Sequence, residues 1–229
     1  EVARSGRRRG MSVILDPRQA QEISPNEVRR WPVLAWHLQD EPDVNGITPA
    51  QLEARSKEIR NWDPRPQTLG VGSGRAAREY GAVWDIFMLD WYPVPHLPLD
   101  SVADEIDEAK RYLPSGKPLW MVIHAFDWKD EPLQRDPARP KIGRFPNHSE
   151  LRFMSYAALL HGANGLFFYR FLQSEDNRVR SLLDIPERWQ AVSRVAREIK
   201  ALKPILELGV PTAIPFRPNP DGVEARAWR

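Results

Sequence analysis

Short apolar runs that end abruptly in polar residues recur along the chain, with helically spaced stretches between them. Residues 11–15 lead into Asp16-Pro17, residues 33–38 into Gln39-Asp40-Glu41-Pro42, and residues 68–71 into Gly72-Ser73-Gly74. Residues 85–89 lead into Asp90-Trp91-Tyr92-Pro93, residues 119–123 into His124-Ala125-Phe126-Asp127-Trp128, and residues 165–169 into Arg170-Phe171. Runs of this kind are expected of strands covered by helices. Helical spacing follows over residues 49–62, 99–113, 149–161 and 186–206, the last with Val192, Val195, Ile199 and Leu202 on one face. Thr48 before Pro49, and Asn147 or His148 before Ser149-Glu150, are helix starts, while Gly162 and Gly209 suit helix exits.

The repeating unit is therefore βα, which builds a parallel sheet through right-handed crossovers. Six strands are countable, whereas a closed (β/α)8 TIM barrel has eight. The economical reading takes them as strands three to eight of a barrel incomplete at its N-terminal end, with two strands upstream of residue 1. The rival is a complete six-stranded doubly wound sheet. Polar and aromatic residues gather at nearly every strand's C-terminal end, where TIM barrels place their sites, and this favours the barrel. The barrel reading runs over residues 1–209. Residues 210–229, with the turn Pro218-Asn219-Pro220-Asp221-Gly222 and the alternation of residues 223–228, read as the start of a C-terminal β extension.

Composition narrows the function classes. The 229 residues are 41% hydrophobic and 28% charged, ordinary globular values. No apolar run approaches the roughly 20 residues that span a bilayer, so no membrane is expected, and no signal segment opens the chain. The absence of cysteine removes disulfides and thiolate metal sites and is compatible with cytoplasm, periplasm or the exterior. A net charge of +2 gives no concentrated basic surface for nucleic acid; Arg7-Arg8-Arg9, the one dense run, reads as a solvated helix end. Nine tryptophans are many, and several fall where strands end, where a flat aromatic face suits a sugar ring.

The stretch from Trp36 to Pro42 carries the most chemistry, because a strand ending in two adjacent carboxylates and a proline brings acids to the sheet's C-terminal edge. By strand alternation, Glu41 shares a face with His37 and Gln39, and Asp40 points the other way. The plain alternative makes both acids loop residues, with Asp40 capping a turn before Pro42.

Asp40-Glu41-Pro42 resembles the Asn-Glu-Pro signature of the large clan of retaining glycosidases built on TIM barrels, with aspartate in place of asparagine. The resemblance extends through Asp90-Trp91-Tyr92-Pro93, residues 120–126, and Phe153-Met154-Ser155-Tyr156-Ala157 to Gly165-Leu166-Phe167-Phe168-Tyr169. It implies that Glu41 is the general acid/base. It also implies a nucleophilic glutamate at the end of strand seven, where this chain has Ile123-His124-Ala125-Phe126-Asp127-Trp128 and no glutamate. The second carboxylate then comes from Asp90, which ends its strand directly, or from Asp127. The adjacent pair is also similar to the Asp-Glu of barrel enzymes that cleave N-acetylhexosaminides by substrate assistance. That resemblance implies Glu41 as acid and Asp40 as the residue that orients the acetamido group.

The expectation is a glycoside hydrolase acting on an oligo- or polysaccharide, with Glu41, Asp40 and Asp90 as catalytic candidates. His37, Gln39, Trp91, Tyr92, Trp120, His124, Asp127, Trp128 and Tyr169 are the substrate-binding candidates. Trp36 and Trp84 read as core and His161 as structural. The alternative is a carbohydrate-binding or structural barrel without catalysis, motivated by the missing glutamate. No cofactor and no metal are expected: His37 and Asp40, three apart on a strand, are expected on opposite sides. Gly70-Val71-Gly72-Ser73-Gly74 lacks both the full dinucleotide fingerprint and the lysine of a phosphate loop.

Overall fold

The structure, a computed structural model, describes residues 8–20, 22–130, 143–171, 182–209, 211–212 and 227–228. It divides into two compact units, one of residues 1–91 and 105–121, the other of residues 92–104 and 122–229.

In the first unit β1 (Val13–Leu15), β2 (Val33–Asp40), β3 (Gln67–Val71) and β4 (Ile86–Trp91) lie side by side in chain order, all parallel. Between them run α1 (Pro25–Val28), α2 (Pro42–Asn45), α3 (Pro49–Arg60) and α4 (Ala77–Tyr80). β3 is buried at all five positions, as a strand covered on both faces should be. Its polar first residue is satisfied: Ser56 Oγ donates to Gln67 Oε1 at 2.5 Å, and Gln67 Nε2 donates to the Ser56 carbonyl at 3.1 Å. Trp36, Trp84, Leu69, Phe87 and Leu89 form the core, with the two indoles buried as expected. Thr48 starts α3 in a reciprocal capping box with Gln51, satisfying two backbone N–H groups that a bare helix end would leave open.

Gly74 packs against the part of α5 (Ser101–Lys110) that belongs to this unit, and its N–H donates to Glu105 Oε2 at 2.5 Å. A Cβ there would fall 2.0 Å from the Glu105 carbonyl oxygen and 3.1 Å from the Ala109 nitrogen, both backbone atoms. Gly74→Ala is therefore expected to destabilise by about 3 kcal/mol through overpacking. Urea denaturation reads this directly, and a loss below about 1 kcal/mol would show that the helix yields without strain.

β5 (Leu119–His124) begins in the first unit, where the Phe87 N–H donates to the Pro118 carbonyl at 2.9 Å, and ends in the second. There the Ala125 N–H donates to the Tyr169 carbonyl at 2.6 Å, at the end of β6 (Gly165–Tyr169). The second unit also holds α6 (His148–Leu160), started by an Asn147–Glu150 capping box, and α7 (Pro186–Leu208). These two helices pack together, with Leu151, Met154, Val192 and Val195 buried. β7 (Pro211–Thr212) and β8 (Ala227–Trp228) form a separate antiparallel pair, and residues 213–226 of the expected β extension lie outside the described residues.

The fold is α/β with a six-stranded parallel sheet whose order follows the chain, β1 to β6. A doubly wound sheet grows both ways from its first strands, so its order reverses at a switch point. No reversal occurs among the described strands. Arg8 and Arg9 are exposed, and Arg7 lies outside the described residues. Among the described residues no helix is long and apolar enough to cross a membrane.

Candidate active site

The acids of the first unit meet over the end of β3. Pairing of β2 with β3 runs His37 to Thr68, then Gln39 to Leu69 and Asp40 to Gly70, so Leu38 is an extra residue, a bulge in β2. A bulge shifts side-chain alternation by one. It corrects the expectation that His37 and Asp40 point apart: both flank Gly70, and His37 Nε2 stands 3.7 Å from Asp40 Oδ1. Gln39 turns instead toward α3, where its Oε1 accepts from Arg55 Nη1 at 3.4 Å, while its Nε2 donates to the Asp40 carbonyl at 3.1 Å.

Glu41 follows with φ of 42°, the one non-glycine residue with positive φ among those described. A left-handed residue departs from the extended conformation of β2 and ends its regular alternation. A Cβ on Gly70 would sit 3.1 Å from Asp40 Oδ1, 3.4 Å from His37 Cε1 and 3.9 Å from Asp90 Oδ2. One on Gly72 would sit 3.6 Å from Glu41 Oε1 and 3.7 Å from Asp43 Oδ2. The side chains of Asp40 and Asp90 thus gather at Gly70 in β3, and those of Glu41 and Asp43 at Gly72, just past its end. Asp40 and Asp90 have oxygens no more than about 7 Å apart.

Neighbouring bonds hold the unusual backbone of Glu41. Its N–H donates to the Gly70 carbonyl at 2.9 Å, and its carbonyl accepts from the Asn45 backbone N–H at 2.9 Å and Asn45 Nδ2 at 2.8 Å. Strain of this kind persists only where the surroundings over-determine it, and such residues cluster at functional sites. Burial raises the Glu41 carboxyl above the usual carboxylate range, and the negative charges of Asp40 and Asp43 raise it further. A raised carboxyl pKa is the direction that general-acid work favours.

Sequence reasoning missed Asp43 and the two glycines. Asp43 stands two residues past Glu41 in the first turn of α2 and reads as an ordinary helix-start acid. The glycines were weighed only as a phosphate loop, whereas here they leave room under the carboxylates. Among the described residues no group of three or more histidines and acids is arranged to hold a metal ion. Trp91 ends β4 and Trp120 lies early in β5, both half-buried.

The remaining expected site residues belong to the second unit and form an aromatic cluster. Tyr92 stacks on Tyr169 at 5.5 Å between centroids and meets Phe126 edge-on at 5.1 Å, and Phe126 meets Trp128 edge-on at 4.8 Å. Tyr169 is the exposed member, with Arg170 Nη1 donating to its hydroxyl at 3.0 Å. His124 is fully buried among these rings, and its Nδ1 accepts the Val94 N–H at 3.3 Å. Burial pushes its pKa down to about 3, leaving a neutral ring that fixes the cluster rather than reaching solvent. Asp127 is held in place: its Oδ2 pairs with Arg188 Nη2 at 3.4 Å and its Oδ1 accepts the Lys129 N–H at 2.9 Å. Arg188 also pairs with Asp130 at 2.7 Å. His161 caps the end of α6.

No protein-family model and no curated protein matches the sequence. Solved structures do match in fold. A beta-galactosidase from Bacillus circulans sp. alkalophilus superposes over 67% of this chain and 23% of its own, with a TM-score of 0.54 at 17% identity. The fold is glycoside-hydrolase-like. Matches of lower TM-score include a beta-mannanase from Alicyclobacillus acidocaldarius (0.45, 13% identity, 72% of this chain and 56% of that one). Another is an exo-beta-1,3-glucanase from Aureobasidium namibiae (0.41, 12%, 71% and 63%). This chain thus spans about a quarter of the length of the beta-galactosidase, and at these identities the likeness is one of fold. It agrees with the glycoside-hydrolase-like fold that Asp40-Glu41-Pro42 suggested; what the acids do is a separate question.

Proposed function

We propose that the chain is part of a glycoside hydrolase in which Glu41 is the general acid. The observation that carries this reading is Glu41 itself: a half-buried carboxyl raised by burial and two neighbouring acids, on a strained backbone turn at a strand's C-terminal end. The fold supports the class of chemistry.

Asp40 lies near enough to Glu41 for its charge to raise the Glu41 carboxyl, which supports the substrate-assisted route. Glu41 donates its proton to the glycosidic oxygen as the C1–O bond breaks, and the acetamido oxygen of the sugar attacks C1. Asp40, holding the amide N–H, stabilises the positive charge that the ring so formed acquires. The Glu41 carboxylate then takes a proton from water as its oxygen adds to C1 and the ring reopens. Asp90, beside Gly70 as well, supports a second route in which it serves as the other carboxylate.

In barrel numbering the six strands are three to eight, with residues 1–209 as a partial barrel and residues 210–229 as the start of a β extension. The edge strand β6 supports this, since Leu166, Phe167 and Phe168 are half-exposed. Leu166 and Phe168 also line an apolar groove of about 830 Å3 with Ala196 and Ile199. Further strands of a barrel would cover such an edge. Within the second unit, the exposed ring of Tyr169 is a flat face of the kind that suits a sugar ring.

Hydrolysis of aryl glycosides by the full-length protein tests this reading and separates the routes. On a 2-acetamido substrate, Asp40→Asn is expected to lower kcat/KM by about 10²-fold or more, and Asp90→Asn much less. The reverse order, with activity on substrates lacking the acetamido group, would assign the partner role to Asp90. Sugar binding with no hydrolysis of any glycoside would leave a binding domain.

A further inference from the structure

We propose that Asp43 is a positioning residue for Glu41, clamping the turn that carries the acid to the end of β3 and holding a second carboxylate beside it. The proposal rests on the reading of Glu41 as general acid and adds a residue to it.

An acid in the first turn of a short helix ordinarily faces that helix's own open N–H groups. Asp43 instead reaches across to β3, and both its carboxylate oxygens lie 3.2 Å from the Gly72 nitrogen as acceptors of its N–H. Glu41 is the N-cap of the same helix, without a side-chain cap bond, so its side chain is free of the helix end. Asn45 and Gly70 hold the Glu41 backbone from one side, and Asp43 fixes the turn from the other. Glu41 Oε1 and Asp43 Oδ2 then flank Gly72 at 3.6 and 3.7 Å from the place a Cβ would occupy, so the two carboxyls are held close.

The other titratable groups around this point are few. Asp40 and His37 come from β2 and Asp90 from β4, all grouped at Gly70, and Tyr80 of α4 lies near Asp43 with its hydroxyl donating to the Ile47 carbonyl. His37 is partnered with Asp40 rather than with Glu41. Among these neighbours Asp43 is the acid anchored by a backbone bond beside Glu41, and like charge at fixed short distance disfavours the ionised form.

The test is a carbon-13 NMR titration of the Glu41 carboxyl in the full-length protein, its Asp43→Asn variant and its Asp43→Ser variant. Both variants remove the charge and keep an oxygen that can accept the Gly72 N–H. The expected result is a Glu41 midpoint displaced to lower pH in either variant, with the high-pH limb of the kcat/KM profile moving down by the same displacement and KM unchanged. Asp43→Ala should show the same displacement together with a loss of kcat at every pH, since the clamp is gone as well. An unmoved Glu41 midpoint in both neutral variants overturns the proposal. Activity surviving in Glu41→Gln overturns the general-acid reading instead, and is scored separately from the titration.

Discussion

Replacing Glu41 with glutamine is expected to lower kcat/KM by about 10²- to 10⁴-fold on glycosides with poor leaving groups, the range general-acid catalysis contributes. That range corresponds to about 3 to 5.5 kcal/mol of transition-state stabilisation. The loss should shrink for a dinitrophenyl leaving group, which departs without a proton. Equal loss for good and poor leaving groups would remove the acid role. The same variant should be more heat-stable than the parent at neutral pH, and the sign follows from the raised pKa. A carboxyl whose folded pKa lies above its unfolded value loses stability for the protein as pH rises through the folded pKa, because burial and Asp40 and Asp43 oppose the ionised form. Glutamine carries no charge to oppose. Glu41→Gly should add about 1 kcal/mol more by relieving the left-handed backbone, a gain of roughly 2–4 °C for a chain of this size. A site that gives up activity and gains stability on mutation was held in place for its chemistry.

Much of the architecture was legible because buried parallel strands and their helices leave strong patterns. β6 coincides with its expected range, and β2, β3, β4 and β5 differ from theirs by one or two residues at an end. β1 is shorter, since Met11 is exposed and only three residues pair with β2. Thr48 and Asn147 were readable as helix starts because capping chemistry is local. The site was legible in outline only. Glu41, Asp40 and Asp90 were named as candidates from their places at strand ends, but their surroundings depend on a one-residue bulge at Leu38 and on one left-handed residue. Neither has a local sequence signature, since Leu38 is an ordinary buried leucine and glutamate is a poor choice for positive φ. Asp43 was unreadable for a similar reason: its partner, the Gly72 N–H, lies 29 residues away. His124 and Asp127, each expected to bind substrate, are engaged by the rings of Tyr92, Phe126 and Trp128 and by the guanidinium of Arg188, partners that no local pattern announces.

The largest stability effect is expected away from the candidate site, at Arg65. Asp63 is buried to 1% exposure, and Arg65 answers it: Nε donates to Oδ1 at 2.9 Å and Nη2 to Oδ2 at 2.5 Å, with the Arg65 backbone N–H on Oδ1 at 2.9 Å. The same guanidinium donates to the carbonyls of Trp31 and Val28 and lies over the Trp36 ring at 5.2 Å, tying the segment before β2 to the segment before β3. Burial alone would raise the Asp63 pKa, but the hydrogen bonds and charge of Arg65 hold it below the usual range. A depressed folded pKa gives stability that is present above the unfolded value and lost as pH falls through the folded one. Arg65→Met keeps the apolar stem over Trp36 and leaves the carboxylate buried alone, a change that costs about 3 to 5 kcal/mol when a buried pair is broken. In the variant the sign reverses, because uncompensated burial raises the carboxyl. The deficit should be largest at neutral pH and smaller near pH 4, where the lone carboxyl takes up a proton. Asp63→Asn with Arg65→Met should recover much of the loss, since neither member is then left charged and unpaired. A pH-independent deficit under about 1 kcal/mol would instead place the Asp63–Arg65 pair among exposed ion pairs of little consequence.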